Sequence, residues 1–225
     1  MKTKLSYLFM LLYALVSGQE SIINDLKFSN YSGQPKKITE IITFSNQNIN
    51  KSISYFDKDG FLIKIERYNA TQSESPDKRL ISDMITYDSK DKTKRYFKTI
   101  NPGSKKIEVK GYFEKISDSL YKRVSNATVN KMSLNKLFYF DKNNRLIKTE
   151  ETGNFNEAEI NNTIVYIYIN AVKNEMLFED VINHKKSKLT YKNVKLDQYA
   201  NPVYEELMDD HGTLQQKIER VFEYY

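Results

Sequence analysis

Asp57-Lys58-Asp59-Gly60 places carboxylates at i and i+2, the opening of an oxygen-ligand calcium loop. Such a loop also needs a bidentate glutamate at its twelfth position, and Glu66 falls two positions early, among strand-like residues. The same four residues suit a turn better. Asp57 accepts from backbone N–H groups ahead of it, Lys58 and Asp59 fit the centre of a type I turn, and Gly60 takes the left-handed position that closes a hairpin loop. His184 and His211 are the two histidines, and Asp209-Asp210-His211-Gly212 sets one of them among carboxylates. No paired His or Cys spacing accompanies them, so the segment reads as a solvated turn and not as a zinc site. Glu150-Glu151 and Glu205-Glu206 are sequential pairs. On a strand they project to opposite faces, which denies each pair the facing geometry of glycoside hydrolysis. The reading assigns no catalytic residue, no metal ligand and no cofactor site. It leaves a candidate binding surface in Tyr166, Tyr168, Tyr191, Tyr199 and Tyr204, rings able to stack on a sugar or another polymer if they share a face.

The elements that position these residues read as strands. SISYFDKDGFLIKIERY, residues 52–68, is two runs of period-two alternation about the Asp57 turn, with Phe61, Ile63 and Ile65 on one face. Similar registers begin at Asp88, Glu114, Asp141, Asn170 and Asp197, 26 to 31 residues apart, each preceded by an apolar residue. The structural turn residues expected from this pattern are Asp57, Gly60, Asp141, Asn144, Asp197 and Asn201. A supersecondary unit recurring at this period implies a structure built by stacking neighbours. The fold expected is all-β: an antiparallel meander of repeated hairpins, 11 to 14 short strands in a twisted or curled single sheet, with little helix. Single helical turns are expected over 157–160 and in the first half of 214–225, and a helical turn or strand over 25–28. Residues 69–78 are the longest polar connector.

Three segments resemble the tyrosine–aspartate (YD or RHS-type) repeats of secreted and surface proteins, above all the short, divergent forms in small exported proteins of Bacteroidetes-type bacteria. They are Tyr55-Phe56-Asp57-Lys58-Asp59-Gly60-Phe61-Leu62, Tyr139-Phe140-Asp141-Lys142-Asn143-Asn144-Arg145-Leu146 and Leu196-Asp197-Gln198-Tyr199-Ala200-Asn201-Pro202-Val203. In the last, Ala200 stands where the family has glycine. The resemblance implies architecture and export, and no activity.

Composition narrows the function classes. The chain has 17 Tyr, 12 Phe, no Trp and no Cys, so disulfides and thiolate chemistry are absent. Lys and Arg exceed Asp and Glu by 35 to 29, spread evenly, without the basic block that nucleic-acid binding requires. Residues 1–18 have the layout of a secretory leader: Lys2 and Lys4, then an apolar run, then Val16-Ser17-Gly18. The run is too short for a stable membrane span. The organisation expected is a leader over 1–18, a lead-in over 19–37 and a repeat domain over 38–225. The leading functional expectation is an exported, non-enzymatic structural or binding protein in the periplasm, on the outer surface or outside the cell, with a protein or glycan partner. Two alternatives are a small secreted carboxylate-dependent hydrolase and an outer-membrane β-barrel.

Overall fold

The computed structural model describes residues 24–71, 81–87, 94–104, 106–128, 131–169 and 172–225. Within them the chain is an up-and-down meander of fourteen antiparallel strands and one helical turn, α1 (Asp25–Phe28). The strands are β1 (Pro35–Phe44), β2 (Asn48–Phe56), β3 (Leu62–Thr71), β4 (Ile81–Tyr87), β5 (Lys94–Ile100), β6 (Ile107–Ser117) and β7 (Leu120–Ala127). They continue as β8 (Met132–Phe140), β9 (Leu146–Phe155), β10 (Ala158–Ile169), β11 (Val172–Asp180), β12 (Lys185–Leu196), β13 (Pro202–Met208) and β14 (Leu214–Tyr224). The expected curled meander goes one step further and closes. β1 pairs with β14 through Ile38↔Phe222, Glu40↔Arg220 and Ile42↔Ile218, so the sheet becomes a barrel without free edges.

Four of the hairpin turns share one carboxylate device. Asp57 Oδ1 accepts from the N–H groups of Asp59 and Phe61 at 3.0 and 2.9 Å. Asp141 does the same with Asn143 and Arg145, and Asp197 with Tyr199 and Asn201. Asp209 repeats it with His211 and Thr213 at the opposite rim, so the Asp-Asp-His-Gly segment is a turn of the same kind. The residue three after each aspartate has positive φ: Gly60 at 83°, Asn144 at 58°, Ala200 at 64° and Gly212 at 76°. Ala200 thus takes the left-handed conformation despite its Cβ, inside a turn tied down by Asn201, which is fully buried.

Several expectations are corrected. Glu114 is not a turn anchor: β6 runs through it to Ser117 and reverses at residues 118–119. Residues 157–160 and the first half of 214–225 hold no helix: Glu157 sits in the turn before β10, which takes up Ala158–Ile160, and β14 runs from Leu214. The inner face after the first turn carries Phe61 and Leu62, at 6% and 8% exposure, while Ile63 is 41% exposed. A bulge between Tyr55 and Phe56 shifts the register and swaps the faces there. β3 extends through Thr71, shortening the polar connector on its N-terminal side. The leader over 1–18, the rest of that connector, and the registers at Asp88 and Asn170 lie outside the described residues.

Residues 24–34 fill the barrel at the rim that carries the Asp57, Asp141 and Asp197 turns. Asn24 caps α1 through Lys27 N, and its Nδ2 donates to Asp59 O at 2.7 Å. Phe28 enters a nest of Phe113, Tyr121, Phe138 and Phe140, with ring centroids 4.7–5.6 Å away, mostly edge to face. Leu26 packs with Ile38, Phe56 and Leu62, Tyr31 meets Phe222, and Ser32 N donates to Asn201 Oδ1 at 2.7 Å. This plug therefore touches β1–β3, β6–β8 and the β12–β14 side of the wall.

Gly60 serves turn and plug together. Its carbonyl accepts Leu26 N at 3.2 Å, and a Cβ built there would sit 2.8 Å from Asn24 Nδ2. Gly60→Val is expected to destabilise the fold by at least about 1–3 kcal/mol from backbone strain, against less than about 0.5 kcal/mol for Asp59→Asn. Urea unfolding of both variants checks this; equal losses would contradict it. The net pKa of Asp141 lies below the ordinary carboxylate value: burial pushes it up, but the Arg145 and Asn143 contacts outweigh burial. A depressed folded pKa contributes stability above the unfolded value, lost as pH falls through the folded one. Asp141→Asn is therefore expected to be less stable than the parent at neutral pH, the gap closing below about pH 4 in urea titrations.

Candidate binding site in the barrel lumen

The wall sorts its side chains by parity. On the outer face one group recurs three times across a hairpin. Tyr55 pairs with Lys64, and Glu66 accepts from Lys64 Nζ at 2.5 Å, Tyr55 OH at 3.0 Å and Tyr68 OH at 3.2 Å. Tyr139 pairs with Lys148, and Glu150 accepts from both at 2.5 Å. In the third copy lysine and tyrosine exchange strands: Lys195 pairs with Tyr204, whose hydroxyl donates to Glu206 at 2.5 Å. The ammonium lies 5.2–5.5 Å from the ring centre in each copy, a cation–π contact. Relative to the turn aspartate these residues stand at −2, +7 and +9, a signal present in the sequence that alternation alone does not single out. Lys37–Glu223, Lys94–Glu114, Lys188–Glu175 and Lys217–Glu219 add further ion pairs on this face.

The five tyrosines expected to make one binding surface do not share a face. Tyr166, Tyr168 and Tyr191 stand on the lumenal side, where burial raises the pKa of all three phenols. Tyr199 packs at the rim on Tyr224, 4.6 Å between ring centres, and Tyr204 belongs to the outer group above. His184 and His211 occupy separate exposed turns. Among the described residues no three His, Cys, Asp or Glu side chains gather as a metal site. Asp57, Asp141 and Asp197 spend their carboxylates on turn N–H groups.

The lumen holds the polar groups that sequence reasoning missed. At the closing seam Arg220 donates from Nε to Glu40 at 2.7 Å and from Nη1 to Glu205 at 2.5 Å. The guanidinium is 9% exposed and Glu205 5%, so each carboxylate is held beside a buried countercharge. Burial pushes Tyr31 up to about 12, with Arg220 pulling against it. Lys173 stands near the same group with its Nζ 5.0 Å from the Tyr166 ring centre, and burial lowers its pKa. Arg95, 1% exposed, is ion-paired with Asp25 of the plug and donates to Leu62 O. Burial raises the pKa of Asp25 in spite of that guanidinium.

Among the described residues the lumen holds two sizeable chambers, beside a recess of about 80 Å³ against Tyr31, Lys173, Glu205 and Arg220. One, of about 280 Å³, lies beneath the plug against Phe56, Ile65, Phe97, Phe113 and Phe138. The second, of about 260 Å³, lies among Arg67, Thr99, Ser125, Leu134, Lys136 and Glu151. Arg123 lines both. Gly111 makes room for this arrangement: a Cβ there would meet Val124 O at 1.9 Å and the Phe97 ring at 2.6 Å.

Neither family models nor curated proteins match the sequence. Solved structures share the fold, among them two porin-like proteins. A porin-like protein from Bacteroides uniformis is 9% identical at a TM-score of 0.51, over 84% of this chain and 98% of that one. A porin-like protein from Bacteroides vulgatus is 12% identical at 0.50, over 86% and 99%. At these identities the likeness is one of all-β architecture; it does not extend to a tyrosine–aspartate repeat.

The Asp25–Arg95 pair ties plug to wall, so Asp25→Ala is expected to cost about 3–5 kcal/mol by stranding a buried cation. Adding Arg95→Met is expected to restore most of that loss in urea unfolding. A double variant no better than Asp25→Ala would show that the pair does not carry the docking.

Proposed function

We propose that this chain is an exported, non-enzymatic barrel that stands in water and binds a ligand within its wall. The observation that carries the reading is the outer face. No helix among the described residues is long and apolar enough to cross a membrane, so the test of membrane residence is what the strands turn outward. They turn out Lys64 and Glu66, Lys148 and Glu150, Lys188 and Glu175, and Lys217 and Glu219. Charges at mid-bilayer on a lipid-facing strand cost about 2–4 kcal/mol each for Arg or Lys. Repeated round a barrel, they favour an aqueous compartment over insertion, against the outer-membrane alternative. Export rests on the leader-like residues 1–18.

A binding role is supported by the chambers and by how the lumenal charges are spent. Glu40 and Glu205 share Arg220, so the carboxylate pair at the seam is neutralised by a buried cation and is not free for acid–base work. Three of the five candidate tyrosines line the interior, which moves the binding surface from an outer aromatic row to the lumen and the ligand from a polymer to a small molecule.

Fractionation of a Gram-negative host expressing the full chain tests the location. The expected product begins at Gln19 by mass spectrometry and is released with the periplasmic or culture fluid. Recovery with the outer membrane, extractable by detergent alone, would overturn the aqueous reading.

A further inference from the structure

We infer that Arg123 is the anchor of a lumenal site for a small amphiphilic monoanion, an alkyl carboxylate in chemical class. The inference rests on the reading that ligand is held inside the wall, and it names the ligand's chemistry. Arg123 lies on β7 with its guanidinium 4.6 Å from the centre of the Phe97 ring. Its Nε is buried without a hydrogen-bond partner, and among the described residues no carboxylate pairs with it. Of the other lumenal guanidinia, Arg95 is ion-paired with Asp25, although its own Nε also lacks a partner, Arg220 is held by Glu40 and Glu205, and Arg67 has an interaction of its own. A guanidinium left in this state costs stability unless an anion completes it.

The register supplies an independent sign. Arg123 stands directly opposite Lys136 of β8, on the same lumenal row. Like charges at facing positions repel, and Glu151 offsets only Lys136, at 3.7 Å. An anion between the two strands relieves that repulsion and supplies the acceptor that Arg123 lacks. A carboxylate matches the guanidinium fork in a bidentate pair.

The body of the ligand follows from what adjoins the cation. Arg123 marks the boundary between the two chambers, and the one beneath the plug is walled by Phe56, Ile65, Phe97, Phe113 and Phe138. An anion seated on Arg123 can send an unbranched alkyl chain of moderate length along these rings, burying apolar area that a bare inorganic anion would not. Asp25 and Glu40 also border that chamber, but each is held by its own arginine. The site therefore presents one unpaired cation at the mouth of an apolar chamber.

Isothermal titration of the chain from residue 19 with decanoate, decanol and inorganic phosphate tests the site. Decanoate is expected to bind one to one, and about tenfold to a hundredfold more tightly than either of the others. Arg123→Gln is expected to remove the advantage over decanol, and Arg123→Lys to keep part of it. Ser54 also lines the chamber beneath the plug, and Ser54→Leu, which narrows it and leaves the arginine in place, is expected to weaken decanoate and decanol alike. Decanol binding as tightly as decanoate would overturn the anionic assignment and leave the lumenal reading standing. Phosphate binding as tightly as decanoate would overturn the amphiphile and leave a simple anion site. Binding of none of the three, with unfolding unchanged, would overturn the site and count against a lumenal ligand, whatever compartment the fractionation finds.

Discussion

A barrel of fourteen strands is wider than its own side chains can fill. An eight-stranded barrel closes over a packed interior, whereas larger ones enclose space that must be occupied or wetted. Here the space at one rim is taken by residues 24–34, and the rest of the molecule is arranged to receive them. Phe28 needs four rings from β6, β7 and β8 within reach. Asp25 needs a cation from β5, and Leu26 an apolar floor from β1, β2 and β3. A single short segment thus couples strands far apart in the sequence, and the seam between β1 and β14 closes beside it through the Glu40–Arg220–Glu205 group.

The same requirement explains the division of the wall. The inner surface is mixed, because it must meet both an apolar plug and the polar groups of the lumen. Its charges are matched by position: Asp25 with Arg95, Glu40 and Glu205 with Arg220, Glu151 with Lys136. Among the described residues Arg123 departs from this matching, as Lys173 does beside the seam, and Arg123 is the one that borders both chambers, a place for something the chain itself does not provide. The outer surface carries Tyr, Lys and Glu groups that satisfy one another across hairpins, among exposed apolar side chains such as Ile63, Ile167 and Val221. On the reading proposed above this face meets water, although the architecture is shared with porin-like proteins.

What was legible in the sequence was the local chemistry. Asp57, Asp141 and Asp197 reverse the chain as their neighbours dictate, because an aspartate that accepts two N–H bonds sets the turn with no help from distant residues. Strand content followed from alternation and β-branched and aromatic composition. Closure was not legible, since pairing β1 with β14 leaves no mark that β1 alone or β14 alone carries. Bulges hid the faces: one at Tyr55/Phe56 places Leu62 inside and Ile63 outside, against a simple count by twos. The plug was hidden because Leu26, Phe28 and Tyr31 have no strand or long-helix period among polar neighbours. The tyrosines were scattered by the same logic, since each ring's face depends on the parity of its own strand.

Backbone amide exchange over β1 tests closure and filling most directly. In a closed and plugged barrel, the Ile38–Phe44 stretch has hydrogen-bonded neighbours on both sides, so the amides facing β14 should resist exchange as strongly as those facing β2. The Leu62 amide, bonded to Asp25 at 2.6 Å, should be slow as well. Fast exchange at every second residue of β1, with Leu62 unprotected, is the pattern of an open edge and an undocked N-terminal segment, and would contradict the account.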